Sequence, residues 1–289
     1  MSWLLLDERS ATIVAIAMLA VFGATRPIGK RWSRFISAAA FETAVVCALF
    51  ALWQAANQLT RGHTTGGLER GRQIWHAERW LHLPNELSVQ NLIIDHPEIV
   101  KASNYYYDTM HLTLMVVFLV WLWLRHRDRY PFFRNMIAAF TAMSLLIQMV
   151  AVAPPRLILG ETGMVDTARA YGQSVYAVFG DLSDQFAAMP SIHVGWALLI
   201  SYAVVKASPS RLRWVAVLHG VITVFVVVAT ANHYWLDGVA AVALLVIAHY
   251  IAMGIERAKS RFLSPASEPL MVPVRINAEP SDDGLVSAP

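Results

Sequence analysis

The sequence predicts an all-α membrane protein, a polytopic bundle of about seven transmembrane helices. Hydrophobic residues make up 56% of the chain and charged residues only 15%, a composition typical of membrane proteins. The apolar residues also fall in long runs, and about twenty such residues are enough to span roughly 30 Å of hydrocarbon. Soluble classes are therefore excluded.

Six of the apolar runs are long enough to be spans, and a shorter one precedes them. The seven runs occupy residues 10–25, 36–58, 106–124, 134–153, 191–206, 213–231 and 235–255. Residues 1–262 are therefore expected to form one integral membrane catalytic domain. Residues 263–289, rich in Pro, Ser and acidic residues without periodicity, are expected to be a disordered cytoplasmic tail. The single Cys47 lies inside the second run and is expected to pack there.

Four basic clusters between the runs predict which helix ends face the cytoplasm. They extend from Arg26 to Arg34, from Arg125 to Arg134, from Lys206 to Arg213 and from Arg257 to Arg261. Cytoplasmic loops are enriched in Lys and Arg, and seven spans place all four clusters on that side when the N-terminus is outside. We therefore expect a multi-pass protein of the plasma membrane. Arg156, His193 and His233 would then share the extracytoplasmic face.

Residues 59–104 are predicted to lie outside the membrane as an interfacial helical segment. Around Trp75 and Trp80, aromatic and aliphatic residues alternate with charged ones such as Glu78 and Arg79. This pattern predicts an amphipathic helix with its aromatic residues at headgroup depth and its charges pointing upward. A second short helix is expected to follow Pro84.

Two histidines stand at the predicted starts of apolar runs. Ser191 occupies a helix-capping position two residues before His193, and His233 precedes Asp237 by four residues. The unpaired N–H groups of a helix N-terminus attract anions such as phosphate. At this spacing Asp237 can hydrogen-bond one ring nitrogen of His233 and raise the basicity of the other. The pattern predicts a phosphate site with His233 as nucleophile and His193 as acid.

These motifs, Pro190-Ser191-Ile192-His193 and His233 through Asp237, resemble the second and third motifs of the type 2 phosphatidic acid phosphatase superfamily. The resemblance covers about residues 70–255, and the motifs are most similar to the inositol phosphorylceramide synthase-like, or inositolphosphotransferase, branch. It implies a phosphohistidine mechanism in which the third-motif histidine is the nucleophile and the second-motif histidine is the general acid.

The superfamily's first motif is only partly present. Arg156 matches its arginine, but Met149 stands at the lysine position and no proline follows Arg156. Val226 and Val227 stand where phosphatase members have Ser-Arg. The synthase-like branch is similarly poor in these cations. Arg156 and Ser191 are the residues expected to bind the phosphate.

Asn104, Tyr107 and His111 are further candidates, at the outer end of the third run. Tyr and His at a headgroup boundary often form only an interface belt. A similar Asn-x-Tyr-Tyr and His occur in the synthase-like relatives, however, so the resemblance implies that these three residues contact the lipid headgroup.

The expected function is transfer of a phosphoryl group or phospho-headgroup, inositol phosphate among them, from a membrane lipid to a hydroxyl acceptor. Hydrolysis, with water as the acceptor, is the alternative within the same chemistry. No cofactor is expected, and no nucleic-acid partner, because topology explains the basic clusters.

Two other functions stay open at this point. One is a zinc site, whose ligands would be His193, His233, Asp237 and His111. The other is a transporter whose pathway includes Glu42 and Arg156. Transporter sites tend to lie near the midplane of the bilayer, whereas the candidate residues here gather at one face, which disfavours transport.

Overall fold

The computed structural model describes residues 8–60, 64–173 and 183–263. Over these ranges the chain forms helices and no strand. The helices are α1 (Glu8–Thr25), α2 (Arg31–Thr60), α3 (Gly67–Trp80), α4 (Glu86–Gln90), α5 (Pro97–Arg125), α6 (Tyr130–Gln148), α7 (Leu159–Thr162), α8 (Thr167–Ala170), α9 (Ile192–Ala207), α10 (Arg213–Ala229) and α11 (Trp235–Leu263). The predicted all-α class is confirmed. The predicted tail lies outside the described residues, except for the end of α11.

Five helices are long and apolar enough to cross a membrane, namely α1, α2, α5, α6 and α11. The first apolar run, short in the sequence, is thus part of a helix of sufficient length. Helices α9 and α10 are apolar but have only 16 and 17 residues, or about 24–26 Å at 1.5 Å per residue. The multi-pass membrane bundle is confirmed, whereas a count of seven full spans is not.

The core of the bundle lies between α5, α6, α9 and α11. Phe140 and Leu199 are fully buried in it. Helices α6 and α9 are in close contact at Gly195, where an added Cβ atom would clash with the ring of Phe140. Only glycine permits this approach. Because Gly195 lies two residues after His193, the same contact fixes the start of α9.

Glu42 is accounted for by an ion pair. It lies on α2 and accepts a hydrogen bond from Arg134 of α6. Ionisable groups inside membrane helices commonly pair in this way, because an unpaired charge is costly there. Arg134 lies in the first turns of α6, at the end of the bundle opposite the motif histidines. The pair therefore gives no support to a transport pathway that includes Glu42.

The directions of the helices put the loops that carry the family motifs (residues 149–158, 186–191 and 230–234), here called the motif loops, at one end of the bundle. Helices α5, α9 and α11 begin at this end, and α6 and α10 finish there. Three of the four predicted basic clusters lie at the opposite end, between α5 and α6, between α9 and α10, and at the end of α11. The described helices thus agree with a single shared face, and its assignment to the outside of the cell stays a prediction.

Helix α3 confirms the predicted helix before Trp80 but corrects the direction of one charge. Glu78 was expected to point upward, yet it is fully buried, whereas Trp80 is 77% exposed. The reason is that one face of α3 packs on the motif loops. A Cβ at Gly71 would lie 2.6 Å from the carbonyl oxygen of Ala153 and 3.0 Å from the hydroxyl of Tyr234.

The sidedness of the two ends can be tested by cysteine labelling in a Cys47→Ser background. Gly160→Cys lies in α7 at the motif end, and Asp128→Cys lies between α5 and α6; both positions are exposed. A Cβ atom added at Gly160 would meet nothing within 4 Å, so this position tolerates Cys. A membrane-impermeant maleimide added to intact cells should label Gly160→Cys, and should label Asp128→Cys only after permeabilisation. Labelling of both from one side would contradict the predicted topology.

Candidate active site

Three loops meet at the motif end of the bundle: residues 149–158 after α6, residues 186–191 before α9, and residues 230–234 between α10 and α11. Backbone hydrogen bonds join them to one another and to α11. These run from Ala188 N to Val152 O (3.2 Å), from Arg156 N to Ala231 O (2.9 Å) and from Ser191 N to Asp237 O (3.2 Å). The relative positions of the loops therefore do not depend on side chains alone.

A tight turn carries His233. Its backbone N–H donates to Val227 O at 3.1 Å, and Ala231 within the turn has a φ of 58°. A left-handed conformation costs about 1–2 kcal/mol for a residue with a Cβ. Such strain persists where the surrounding structure holds it, and here Arg156 N donates to the carbonyl of Ala231. A hydrogen bond from a residue outside the turn thus holds it in one conformation.

The ring of His233 is held at one nitrogen. Nδ1 lies 2.8 Å from Ala188 O and 3.1 Å from Asp237 Oδ2. A carbonyl oxygen can only accept, so we assign the proton to Nδ1. Asp237 Oδ2 also accepts from Tyr234 N at 2.9 Å. In the neutral ring Nε2 then carries no proton, and it is buried without a hydrogen-bond partner among the described residues.

His193 faces His233 across the site. It follows the first residue of α9, whose N-cap Ser191 accepts from Val194 N at 3.2 Å. The centroids of the His193 and His233 rings are 5.7 Å apart. Two aromatic rings from α5 hold His193 from other sides: Tyr107 stacks on it at 4.2 Å, and His111 meets it edge-on at 4.3 Å. The structure therefore brings both motif histidines, Tyr107 and His111 into one cluster.

Arg156 lies beside the nucleophile candidate. Its side chain is buried, and Nε donates to Asn232 Oδ1 at 2.9 Å, next to His233 in the chain. A second nitrogen donates to Gln185 Oε1 at 2.9 Å and lies 3.9 Å from Asp166 Oδ2. The cation is thereby held in place by neutral and acidic neighbours, close to the turn that carries His233.

Asn104 has contacts of a different kind. Its side-chain oxygen accepts from Thr167 at 2.8 Å, and its nitrogen donates to Gln173 at 3.0 Å. The residue is 2% exposed. It therefore ties α5 to the loop that contains α8. Sequence reasoning grouped Asn104 with Tyr107 and His111, but the structure places only the latter two against His193.

Sequence reasoning missed two buried residues that hold the His233 turn from both sides. Glu78 Oε1 accepts from Leu236 N at 2.7 Å, at the start of α11. Gln90 Nε2 donates to Ala229 O at 3.1 Å, at the end of α10. A signal for Glu78 was present, because it lies three residues after the apolar Trp75 and so shares its helix face. No comparable signal marks Gln90.

The zinc alternative gains no support from the geometry. Within the described ranges, no group of three or more His, Cys, Asp or Glu side chains is arranged to hold a metal ion. The cluster instead combines two nitrogen bases, a buried carboxylate and a nearby guanidinium. That combination suits the binding and transfer of a phosphoryl group.

Fold and site together define an integral membrane protein with a paired-histidine site at one end of its helix bundle. A family model described as PAP2 superfamily matches residues 72–251. Since the match covers more than half of the chain, this protein belongs to the PAP2 superfamily. No curated protein matches the chain. No solved structure matches it either.

Membership confirms the superfamily that the motifs resemble, and with it the broad class of lipid phosphatase or phosphotransferase acting in a membrane. It does not confirm the inositolphosphotransferase branch. The matched residues include both motif histidines, Arg156 and the buried Glu78 and Gln90.

Replacing Glu78 tests how much the His233 turn depends on it. Burial, followed by the neighbouring carboxyl of Glu86, raises the pKa of Glu78 from 4.5 to about 9. The folded protein therefore keeps the proton while the unfolded chain loses it, so the stability contributed by this group falls as pH rises from about 5 to 9. Glu78→Gln removes this titration and keeps an acceptor for Leu236 N.

In detergent, the melting temperature of Glu78→Gln relative to wild type should thus increase from pH 5 to pH 9. Glu78→Ala should be less stable than Glu78→Gln at every pH, because it leaves the backbone N–H of Leu236 without an acceptor, at a cost of about 1–3 kcal/mol. Glu69→Gln, an exposed change on the same helix, is the control. A pH-independent difference between Glu78→Gln and wild type would contradict a protonated Glu78.

Proposed function

We propose that this protein moves a phosphoryl group or phospho-headgroup from a membrane lipid to a hydroxyl acceptor through a phosphohistidine on His233. The observation that carries the proposal is the state of the His233 ring. Ala188 O and Asp237 hold Nδ1, and Nε2, the nitrogen that bears the lone pair in the neutral ring, has no partner among the described residues. An activated nucleophile held by an orienting group has this arrangement.

In the first step Nε2 of His233 attacks phosphorus, and the bond from phosphorus to the leaving oxygen breaks. His193 gives a proton to that oxygen. In the second step His193 takes the proton of the acceptor hydroxyl, whose oxygen attacks the phosphohistidine. The bond from phosphorus to Nε2 then breaks, which restores both histidines and balances the protons.

Groups that favour anions support the same assignment. Arg156 lies beside Asn232, next to His233. Helices α9 and α11 also begin at the cluster, and their N-terminal N–H groups favour anions. In phosphoryl transfer the protein mainly positions the reactants and stabilises charge on the equatorial oxygens. In this scheme Ser191 acts through the start of α9, while Tyr107 and His111 keep the His193 ring oriented.

The depth of the site favours a lipid substrate. Helix α9 begins at the site and helix α10 ends there. Both helices are only about 24–26 Å long, less than the roughly 30 Å of hydrocarbon in a bilayer. The motif loops at their ends are therefore near headgroup depth. We place this face outside the cytoplasm in the plasma membrane, as the basic clusters predict.

The burial of His233 favours a bound acceptor over bulk water. The residue is 4% exposed, and enclosed sites limit hydrolysis of reactive intermediates.

The test is to incubate purified protein with phosphorus-labelled membrane lipids, including phosphatidylinositol, with and without hydroxyl acceptors such as inositol, diacylglycerol and ceramide. Label on an acceptor indicates transfer, and free labelled phosphate alone indicates hydrolysis. Label retained on every lipid would contradict both.

Loss of Arg156 should slow the reaction. Arg156→Ala removes the cation beside His233, and loss of one fixed group of this kind lowers kcat by about 10²–10³-fold. Arg156→Lys keeps the charge without the planar fork and should be intermediate. Because Arg156 also contacts Gln185, the Gln185→Ala variant serves as a control for local structure. Thermal unfolding checks that all three variants fold, and normal kcat in a folded Arg156→Ala would assign the phosphate to other groups.

Substitution of each of the two histidines should impair a different part of the reaction. His233→Ala should abolish both turnover and trapped phosphoenzyme, since it lacks the nucleophile. His193→Ala should block phosphoenzyme formation from a lipid with a poor leaving group, yet spare much of it with an aryl phosphate, whose oxygen needs no proton. Asp237→Asn should weaken both reactions without abolishing them, because Ala188 O still holds Nδ1.

The measurement is rapid quenching of labelled enzyme without acid, followed by mapping of the phosphorylated residue in wild type and the three variants. His82→Ala, a histidine change remote from the motifs in the sequence, is the control. Label on His193, or label that survives in His233→Ala, would reverse the assigned roles.

A further inference from the structure

A hydrogen-bonded cluster of Tyr106, His219 and Thr223 joins α5 to α10. Tyr106 Oη lies 2.5 Å from His219 Nδ1 and 2.9 Å from Thr223 Oγ1, and Thr223 Oγ1 lies 2.9 Å from His219 O. We assign the proton of His219 to Nδ1, so that His219 donates to Tyr106, Tyr106 to Thr223, and Thr223 to His219 O. Each of the three contacts then holds one proton, so the cluster is a closed link between the two helices.

The cluster lies at the edge of the bundle. Tyr106 and His219 are only partly buried, whereas Thr223 is buried. Leu218, next to His219 in the chain, is 56% exposed, and exposed apolar side chains of a membrane bundle contact lipid. The cluster therefore extends from the lipid-facing surface into the interior. Polar residues in this environment are costly and usually mark a functional site.

Behind the cluster is a narrow cavity that reaches the active site. Its walls include the three cluster residues and also His111 and His193. The other walls include apolar side chains of α9 and α10, namely Ala197, Ile200, Val226 and Val227. The cavity has interior room for about one water-sized group. The cluster thus separates the surrounding lipid from a small, largely apolar space beside His193.

The depth of the cluster can be read from α10. Thr223 and His219 lie six and ten residues before Ala229, the last residue of the helix, which corresponds to about 9 and 15 Å along the axis at 1.5 Å per residue. The turn carrying His233 follows Ala229 directly. A lipid whose phosphate lies at His233 would therefore have its acyl chains at the depth of the cluster.

We propose that the seam between α5 and α10 admits an acyl chain of the lipid substrate, and that the hydrogen bonds among Tyr106, His219 and Thr223 hold this seam closed until a chain enters. An acyl chain suits the apolar walls of the cavity, because it brings no polar group that needs a partner. The cavity is too small for a chain, so α5 and α10 must separate. Single hydrogen bonds between membrane helices contribute little stability, which permits this movement. The inference rests on the proposed lipid substrate.

The first test is photolabelling in lipid nanodiscs. Two probes are used in parallel, phosphatidic acid and phosphatidylinositol, each with a diazirine in the upper half of one acyl chain. Full-length wild-type protein is irradiated on ice, and the experiment is repeated with His233→Ala, in which no turnover is expected. Mass spectrometry then identifies the labelled residues.

Two valines of α10 are matched reporters. Val227 is 2% exposed and lines the cavity, whereas Val221 is 61% exposed and does not line it. At least one probe should label both residues. Replacing the phosphatidylcholine of the bilayer with the same phospholipid without diazirine should abolish the label on Val227 and leave that on Val221, because only the cavity is a saturable site.

A reversible crosslink tests the movement of the seam. In the Cys47→Ser background, Tyr106→Cys and His219→Cys are joined by a short bifunctional thiol reagent that a reducing agent releases. The crosslink should abolish lipid turnover and spare turnover of a soluble aryl phosphate, which has no acyl chain. Reduction should restore lipid turnover.

The control crosslink joins a second Tyr–His pair of the same geometry. Tyr202 of α9 and His249 of α11 have ring centroids 5.8 Å apart, compared with 5.9 Å for Tyr106 and His219. Tyr202→Cys with His249→Cys, crosslinked in the same way, should keep its lipid turnover, because the seam between α5 and α10 stays free to open.

Label on Val221 but not on Val227 with both probes would overturn the proposal. So would undiminished lipid turnover in the protein crosslinked between α5 and α10. Loss of aryl phosphate turnover together with lipid turnover would show that the crosslink disturbs the site itself, and would also overturn it. Absence of aryl phosphate turnover in wild type would instead contradict phosphotransfer, while the label on Val227 would still report on the seam.

Discussion

The site depends on the hydrogen bond from His233 Nδ1 to Ala188 O. It joins the loop before α9 to the turn before α11, and with Asp237 it fixes which nitrogen of the ring carries the proton. A buried donor left without an acceptor is costly, so the bond is strongly favoured once the loops are in place. The position of the loops and the chemistry of the ring are consequences of the same contact.

Residues outside the motifs maintain that contact. Glu78 and Gln90, from the two helices before α5, bind the backbone on either side of the His233 turn, and Arg156 N binds the strained Ala231 within it. The turn is therefore held by buried polar contacts rather than by its own conformational preference. The amphipathic segment before α5 is thus part of the support of the site, and not only a surface helix.

The sequence by itself determined the all-α membrane class, the helix starts at Ser191 and His233, and the i, i+4 relation of His233 to Asp237. Composition, capping and helical periodicity are local properties, so they can be inferred from one amino-acid sequence. The tertiary structure alone decided that Ala188 O shares the His233 proton and that Glu78 points inward. Those features depend on contacts between residues far apart in the chain, which local patterns do not encode.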